Sequence, residues 1–319
     1  MLLPRERYRM ARSLFWIGLI VVFSGIYAVA GARAAVAQLR PAQNPANYRT
    51  LAPGVEITIP SDRQEADTFS THNIVEIVSG HPEVKWKPKL APESQTLTEK
   101  STQTMFHHNI WYLEFTFKPV RMMYVDVPQP SGKMQRKLIW YMIYHVKNTG
   151  GHLKPTVQPD GTYVVSRVNH PVRCMPLFVL ESQEYKKAYP DRIIPAAVLA
   201  IQRKEDPNRR LLNSAEISSR PIGVSTSKVD QSVWGVATWE GIDPRVDFFS
   251  VCIEGLTNAY KWADKPDAFK PGDLPGTGRV LMQKMLLLNF WRPGEEYLES
   301  ERIIRYGIPG KVDYSWIYR

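Results

Sequence analysis

Cysteine is nearly absent from this chain of 319 residues: Cys174 and Cys252 are its two cysteines. No Cys-x-x-Cys pair occurs, so neither a zinc knuckle nor a dithiol redox centre is indicated. Two cysteines allow one disulfide, Cys174 to Cys252, in an oxidising compartment, and buried free thiols are the alternative. The tryptophan that follows the first cysteine of an antibody-type domain is missing too. No GxxxxGK loop exists to cradle phosphates, and Gly276-Thr277-Gly278 does not replace one. Gly223-Val224-Ser225 begins like a nucleophile elbow, but Ser227 stands where the last glycine belongs. Ser225 to Lys228 has the S-x-x-K spacing of penicillin-binding enzymes, where one helical turn brings lysine and serine together. Its flanks here, RPIGV and VDQSVW, are strand-like, and the SDN and KTG partners are missing, so a solvated loop is expected. Internal repeats and low-complexity tracts are also missing. Glycine (19) is rarer than proline (25), and prolines spread along a chain favour short strands and rigid connections over long helices.

Acidic residues are outnumbered, 31 to 41, which gives a net charge of +10. Residues 1–37 hold five arginines and one glutamate, and without them the surplus falls to +6. That is a weak pointer to nucleic acid, and none is expected as a partner.

The first residues are of a different kind. Arg5, Arg7, Arg9 and Arg12 precede an uncharged run from Ser13 to Ala32, and small-residue steps follow at Ala32-Arg33-Ala34 and Ala35-Val36-Ala37. A basic start, an apolar run and an A-x-A step form an export signal. The run is also close to the length of a membrane span, so residues 1–37 are read as a cleaved signal peptide or as an uncleaved anchor through residues 13–32. Either sends the remainder to the periplasm or cell surface, with membrane contact only if the anchor is retained. Residues 38–55 are polar and proline-rich and read as a tether.

What remains reads as mainly β. In IWYLEFTFK, Trp111, Leu113, Phe115 and Phe117 alternate with Tyr112, Glu114, Thr116 and Lys118, the period of a half-buried strand. In LIWYMIYHVK, the even positions Leu138, Trp140, Met142, Tyr144 and Val146 are wholly apolar or aromatic. The odd positions are apolar only in the middle, which predicts a central strand with Trp140 and Tyr144 in the core and Tyr141 and His145 left for a surface contact. Further strands are expected at VEITIP, HNIVEIV, VRMMYVDV, TYVVSRV, MPLFVLES, SVWGVATW and VDFFSVCIEGL, with a last edge strand at VDYSWIY. VLMQKMLLLNFW and YLESERIIRYG read as a hairpin. IIPAAVLAIQRKEDP is read as a strand because of Pro195 and its apolar run. The expected fold is an immunoglobulin-like β-sandwich, in two parts at 56–187 and 188–319 or as one continuous sandwich.

Three groups of residues could carry chemistry. His108, His145 and His152 would form a metal site only if separate elements met; rim histidines are expected, and no metal or cofactor. Glu240, Asp243 and Asp247 fall within WEGIDPRVD. Paired carboxylates hydrolyse glycosides across a cleft, and loop oxygens bind calcium, but Asp243-Pro244 is equally a turn start with Arg245 as partner. Trp86, Trp239, Trp262 and Trp291 sit near expected strand ends, where rings stack on sugars or cap cores. Tyr141, His145, Trp239, Glu240 and Asp243 are therefore the candidates for a binding face.

The stretches LEFTFKPVRMMYVDVP, RKLIWYMIYHVKNTG, WGVATWEGIDPRVDFFSV, GLTNAYKW and the terminal VDYSWIYR span much of residues 110–319. They resemble a set of uncharacterised exported proteins of planctomycete-type bacteria. That resemblance implies export, but no activity and no site residues. The aromatic strand ending in Val-Lys-Asn-Thr-Gly is similar to those of immunoglobulin-like modules in architecture alone. The expectation is a non-catalytic structural or interaction module of the cell envelope, with an envelope protein or a glycan as partner. The alternatives are a glycan-binding module that uses exposed tryptophans, and a carboxylate hydrolase near residues 240–247.

Overall fold

Apolar residues at every second position can be buried only if strands pair, and they do. The computed structural model describes residues 51, 54–72, 104–265, 270, 273, 274, 276–292 and 303–319. The export segment, most of the tether, Trp86 and most of HNIVEIV and YLESER lie outside the described residues. In chain order the strands begin with β1 (Ile57–Ile59), β2 (Phe69–His72), β3 (Thr104–His107), β4 (Glu114–Phe117), β5 (Arg121–Pro128) and β6 (Met134–Lys147). Next come β7 (His152–Val157), β8 (Tyr163–Val168), β9 (Val172–Arg173), β10 (Leu177–Ser182) and β11 (Lys187–Pro190). Two helices follow, α1 (Pro195–Glu205) and α2 (Ser214–Ser218). The chain finishes with β12 (Pro221–Ile222), β13 (Val233–Glu240), β14 (Phe248–Glu254), β15 (Tyr260–Asp264), β16 (Arg279–Trp291), β17 (Arg305–Tyr306) and β18 (Tyr314–Tyr318). A 3-10 turn, Glu65–Thr68, links β1 to β2.

One sheet runs β1-β4-β6-β13, with β5 also paired to β6; the other runs β11-β10-β14-β16-β15, with β17 and β18 also on β16. The pairings within both sheets are antiparallel. Three ribbons, β2–β3, β7–β8 and β9–β12, complete a mainly-β protein.

Both sheets contribute to one apolar core. Phe115, Phe117, Trp140, Met142 and Tyr144 from the first share a cluster with Phe178, Phe249, Val251, Leu288 and Phe290 from the second. The rings meet edge-on at Phe117–Phe290 (6.0 Å) and Trp140–Phe249 (5.4 Å), and Tyr144 lies 4.6 Å from Phe178. Each buried ring stabilises the fold by roughly 1.5–3 kcal/mol relative to leaving it in water. Gly235 stands opposite Tyr144, and a Cβ there would come within 2.6 Å of the tyrosine ring. The missing side chain is what lets that ring lie across β13.

The odd side of β6 is covered as well. Ile139, Tyr141 and Ile143 form a second cluster with Ile194, Ala197, Ile201, Leu211 and Val236. The cover is α1, which replaces the strand expected at IIPAAVLAIQ. Pro195 occupies the first helical turn, where its missing N–H costs nothing. Ala197 and Ile201, four apart, place one buried stripe on the sheet. In α2, Asn213 accepts from the Glu216 N–H while the Glu216 carboxylate accepts from the Asn213 N–H, a reciprocal cap.

Arg49–Arg319 cluster as one compact unit. The polar stretch around residue 187 is a hairpin inside the second sheet, β10 to β11, and β13 returns to pair with β6 in the first.

Candidate functional site

The five residues expected on a binding face do not share one. Tyr141 lies beneath α1, and its hydroxyl donates to Glu205 Oε1 at 2.6 Å. Arg121 Nη1 donates to both Glu205 oxygens at 2.9 Å. Burial pushes the Glu205 carboxyl up, but Tyr141 and Arg121 outweigh it and hold the group below its usual range. Tyr141 is 1% exposed, so the helix that covers it removes it from any surface contact. His145, further along the same face, keeps a side chain 15% exposed and stacks 4.4 Å from Trp234, over which Arg209 sits at 3.8 Å. Burial lowers its pKa and favours the neutral ring. Trp239 is 0% exposed, because its register opposite Trp140 points it into the shared core. Trp291 is buried likewise, so neither ring offers a platform at a strand end.

The carboxylates are occupied. Glu240 is bridged by Lys137 at 2.8 Å and Arg192 at 3.2 Å. Asp243 accepts from Arg245 at 3.0 Å and meets Lys187 at 3.3 Å. Their hydrogen bonds to Lys137 and to Arg245 respectively hold both carboxyls low, a state unlike that of a protonated general acid. Asp243 N and Arg245 N are fixed in the turn by Tyr189 and by the Asp243 side chain.

His107 and His108 serve as packing rings and His152 as a backbone acceptor. His108 stacks 4.7 Å from Tyr260, His107 3.4 Å from Tyr163, and His152 Nδ1 accepts from the Tyr112 N–H at 3.4 Å. Among the described residues no group of three His, Cys, Asp or Glu is placed to hold a metal. Ser225 lies in a loop, hydrogen-bonded to Asp230 and to the Gln231 N–H. Cys174 and Cys252 are both buried free thiols, so the disulfide allowed between them is not formed. Cys174 belongs to the core between the sheets, while Cys252 alternates with the core residues Val251 and Ile253. Burial pushes each thiol up to about 12, which keeps it protonated and unreactive.

A concave site does exist, elsewhere. A cleft of about 420 Å³ opens where Trp111 passes the turn between β14 and β15. Its alternation predicts Trp111 on the core face, but the regular strand begins only at Glu114, and Trp111 is a half-buried ring packed against the core cluster. Its backbone N–H donates to Asn258 Oδ1 at 2.8 Å, and Asn258 Nδ2 donates to the Asn109 carbonyl at 2.9 Å. Leu113 N–H to the Leu256 carbonyl, at 2.8 Å, tightens the same seam. Gly255 has φ +83° in this turn, and a Cβ there would strike the Met175 carbonyl at 2.2 Å. Only glycine allows the chain to pass so closely.

The second ring of the cleft is Tyr260, held between His108 and Trp262, the latter 5.9 Å away. Arg173, Glu254, Asn258 and Gln283 supply charges of both signs and two amides, and Leu177 and Leu281 supply apolar wall. Thr257, a lining hydroxyl, is buried and accepts from the Ala259 N–H at 3.1 Å. No histidine, cysteine or aspartate lines the cleft. The lining is two rings with a few convergent polar groups, without the paired nucleophile and base of an acyl-transfer site. No family model matches this chain, and neither a curated protein nor a solved structure does.

Proposed function

We propose that this chain is a non-catalytic, exported interaction module of the cell envelope, an immunoglobulin-like sandwich whose Trp111–Tyr260 cleft binds a glycan. The observation that carries the reading is the make-up of that cleft: two half-buried rings beside Asn258, Gln283, Arg173 and Glu254. A sugar ring has one face of C–H bonds and a rim of hydroxyls. Aromatic faces suit the first, and amides and charges that both donate and accept suit the second. Charges of both signs favour a neutral or mixed ligand over a polyanion. The export part of the reading rests on Arg5 to Arg12 followed by the uncharged run to Ala32. The finer architecture rests on the two antiparallel sheets that share a core.

The test is a glycan array followed by calorimetry on the hits. Trp111→Ala and Tyr260→Ala are expected to weaken binding by about tenfold or more, the equivalent of roughly 1.4 kcal/mol each. A wild-type protein that binds no glycan overturns the glycan ligand. Variants that bind as the wild type does overturn the cleft as its site.

A further inference from the structure

A second cluster, independent of whatever fills the cleft, joins β16 to the segment after β1 through charge. Lys284, in the middle of β16, is 2% exposed, and its Nζ lies 2.6 Å from Asp67 Oδ2, whose side chain is 0% exposed. Asp67 sits in the 3-10 turn after β1, 217 residues earlier in the chain. Lys284 Nζ also donates to the Asp62 carbonyl at 2.9 Å and lies 2.8 Å from Asp62 Oδ2. Tyr112 donates its hydroxyl to Asp67 Oδ2 at 3.1 Å, and Tyr318, from the last strand, donates to Oδ1 at 2.5 Å. Burial, reinforced by the charge and hydrogen bond of Asp67, raises the pKa of both phenols, so both remain donors.

We propose that Lys284 and Asp67 condense into an isopeptide bond. Burying an ion pair costs desolvation of both charges, and an amide removes both while keeping the contact. The groups the reaction needs are present. A proton moves from the Lys284 ammonium to Asp67 Oδ2 along their 2.6 Å contact, leaving an amine beside a carboxylic acid. The Nζ lone pair attacks Cγ, and the electron pair displaced onto Oδ1 is stabilised by the Tyr318 hydroxyl. Asp62 accepts a proton from the newly bonded, positively charged Nζ and delivers it to the Oδ2 hydroxyl. The Cγ–Oδ2 bond then breaks, water leaves, and Asp62 returns to its carboxylate. Three ammonium protons end as one amide N–H and one water, so no co-reactant is needed. The Asp62 side chain is 31% exposed, which places the proton carrier and the departing water at the solvent side of a dry pair. Fixing amine and acid at contact distance supplies the proximity that free reactants lack.

The measurement is peptide mass spectrometry of the denatured full chain after trypsin. A modified Lys284 resists cleavage, and Arg292 is followed by Pro293, so the linked species joins Gln64–Lys85 to Val280–Arg302. The expected result is that this species is one water lighter than the sum of its two peptides, and that Lys284→Arg abolishes it. Recovery of Val280–Lys284 and Gln64–Lys85 as separate, full-mass peptides from the wild type overturns the proposal. A water lost within Gln64–Lys85 alone, as a cyclised aspartyl residue, overturns it equally.

Discussion

Asp67 and Asp243 are both carboxylates held by cations, and they occupy opposite surroundings. Asp67 is sealed between β16, the Glu65–Thr68 turn and the last strand, with Lys284 at 2.6 Å and two tyrosine hydroxyls on its oxygens. Asp243 lies in a half-buried turn, facing Arg245 and Lys187, whose side chains are largely in water. At equal distance a pair in low dielectric interacts several times more strongly than one in water, but each of its charges has also lost its hydration. The buried pair is therefore dangerous to break, while the Asp243 carboxylate, 11% exposed, is held by two cations that keep most of their water. Proximity of opposite charges identifies a pair in both places; only burial ranks them.

The comparison breaks first at Lys284. Lys284→Ala leaves Asp67 buried with no cation against it, and is expected to lower stability by roughly 3–5 kcal/mol in urea denaturation. That loss is expected whether the pair is ionic or covalent; the tryptic peptides distinguish the two. A change near zero would mean that water reaches Asp67 and that the two carboxylates are alike.

Tyr141 sharpens the middle of the scale. Glu205 is almost covered, with a side chain 7% exposed, and it is held by the Arg121 guanidinium and the Tyr141 hydroxyl. Tyr141→Phe removes a hydroxyl donated to a charged group, while Arg121 continues to hold both oxygens. The expected cost is about 1–2 kcal/mol by the same denaturation assay. A cost as large as that of Lys284→Ala would show that Arg121 does not shield the carboxylate.

The sheets were legible because burial on alternate sides imprints a period of two. That pattern placed Trp140, Met142 and Tyr144 in the core and marked β6 as central. It failed at IIPAAVLAIQ, where an apolar run beginning at a proline is ambiguous between a strand and the first turn of a helix. At Trp239 nearness to a turn suggests a strand-end ring, but Trp239 alternates in step with Gly235 and Ala237 and lies opposite Trp140, on the inward side. The cleft was not legible. Trp111, Arg173, the turn from Glu254 to Tyr260, and Gln283 lie on four separate stretches, and only pairing brings them together. The buried pair did leave a trace: Lys284 is the one charge in VLMQKMLLLNFW. Its partner Asp67, in a polar turn, left none. Local periodicity thus reports a residue's own burial, whereas a site is a property of distances between elements.

The smallest effect is expected at Asp243. Asp243→Ala removes the carboxylate shared by Arg245 and Lys187, but both cations are more than half exposed and regain water when it goes. The midpoint of thermal unfolding should stay within the error of the wild type, in low salt and high salt alike. The same variant bears on the hydrolase reading, since a carboxylate needed for acid–base work cannot be removed without loss of turnover. If Asp243→Ala instead destabilised the protein as Lys284→Ala does, the turn would have to be sealed from solvent. Burial would then no longer separate these two carboxylates, and the difference would have to come from the hydroxyls of Tyr112 and Tyr318, which Asp67 has and Asp243 lacks.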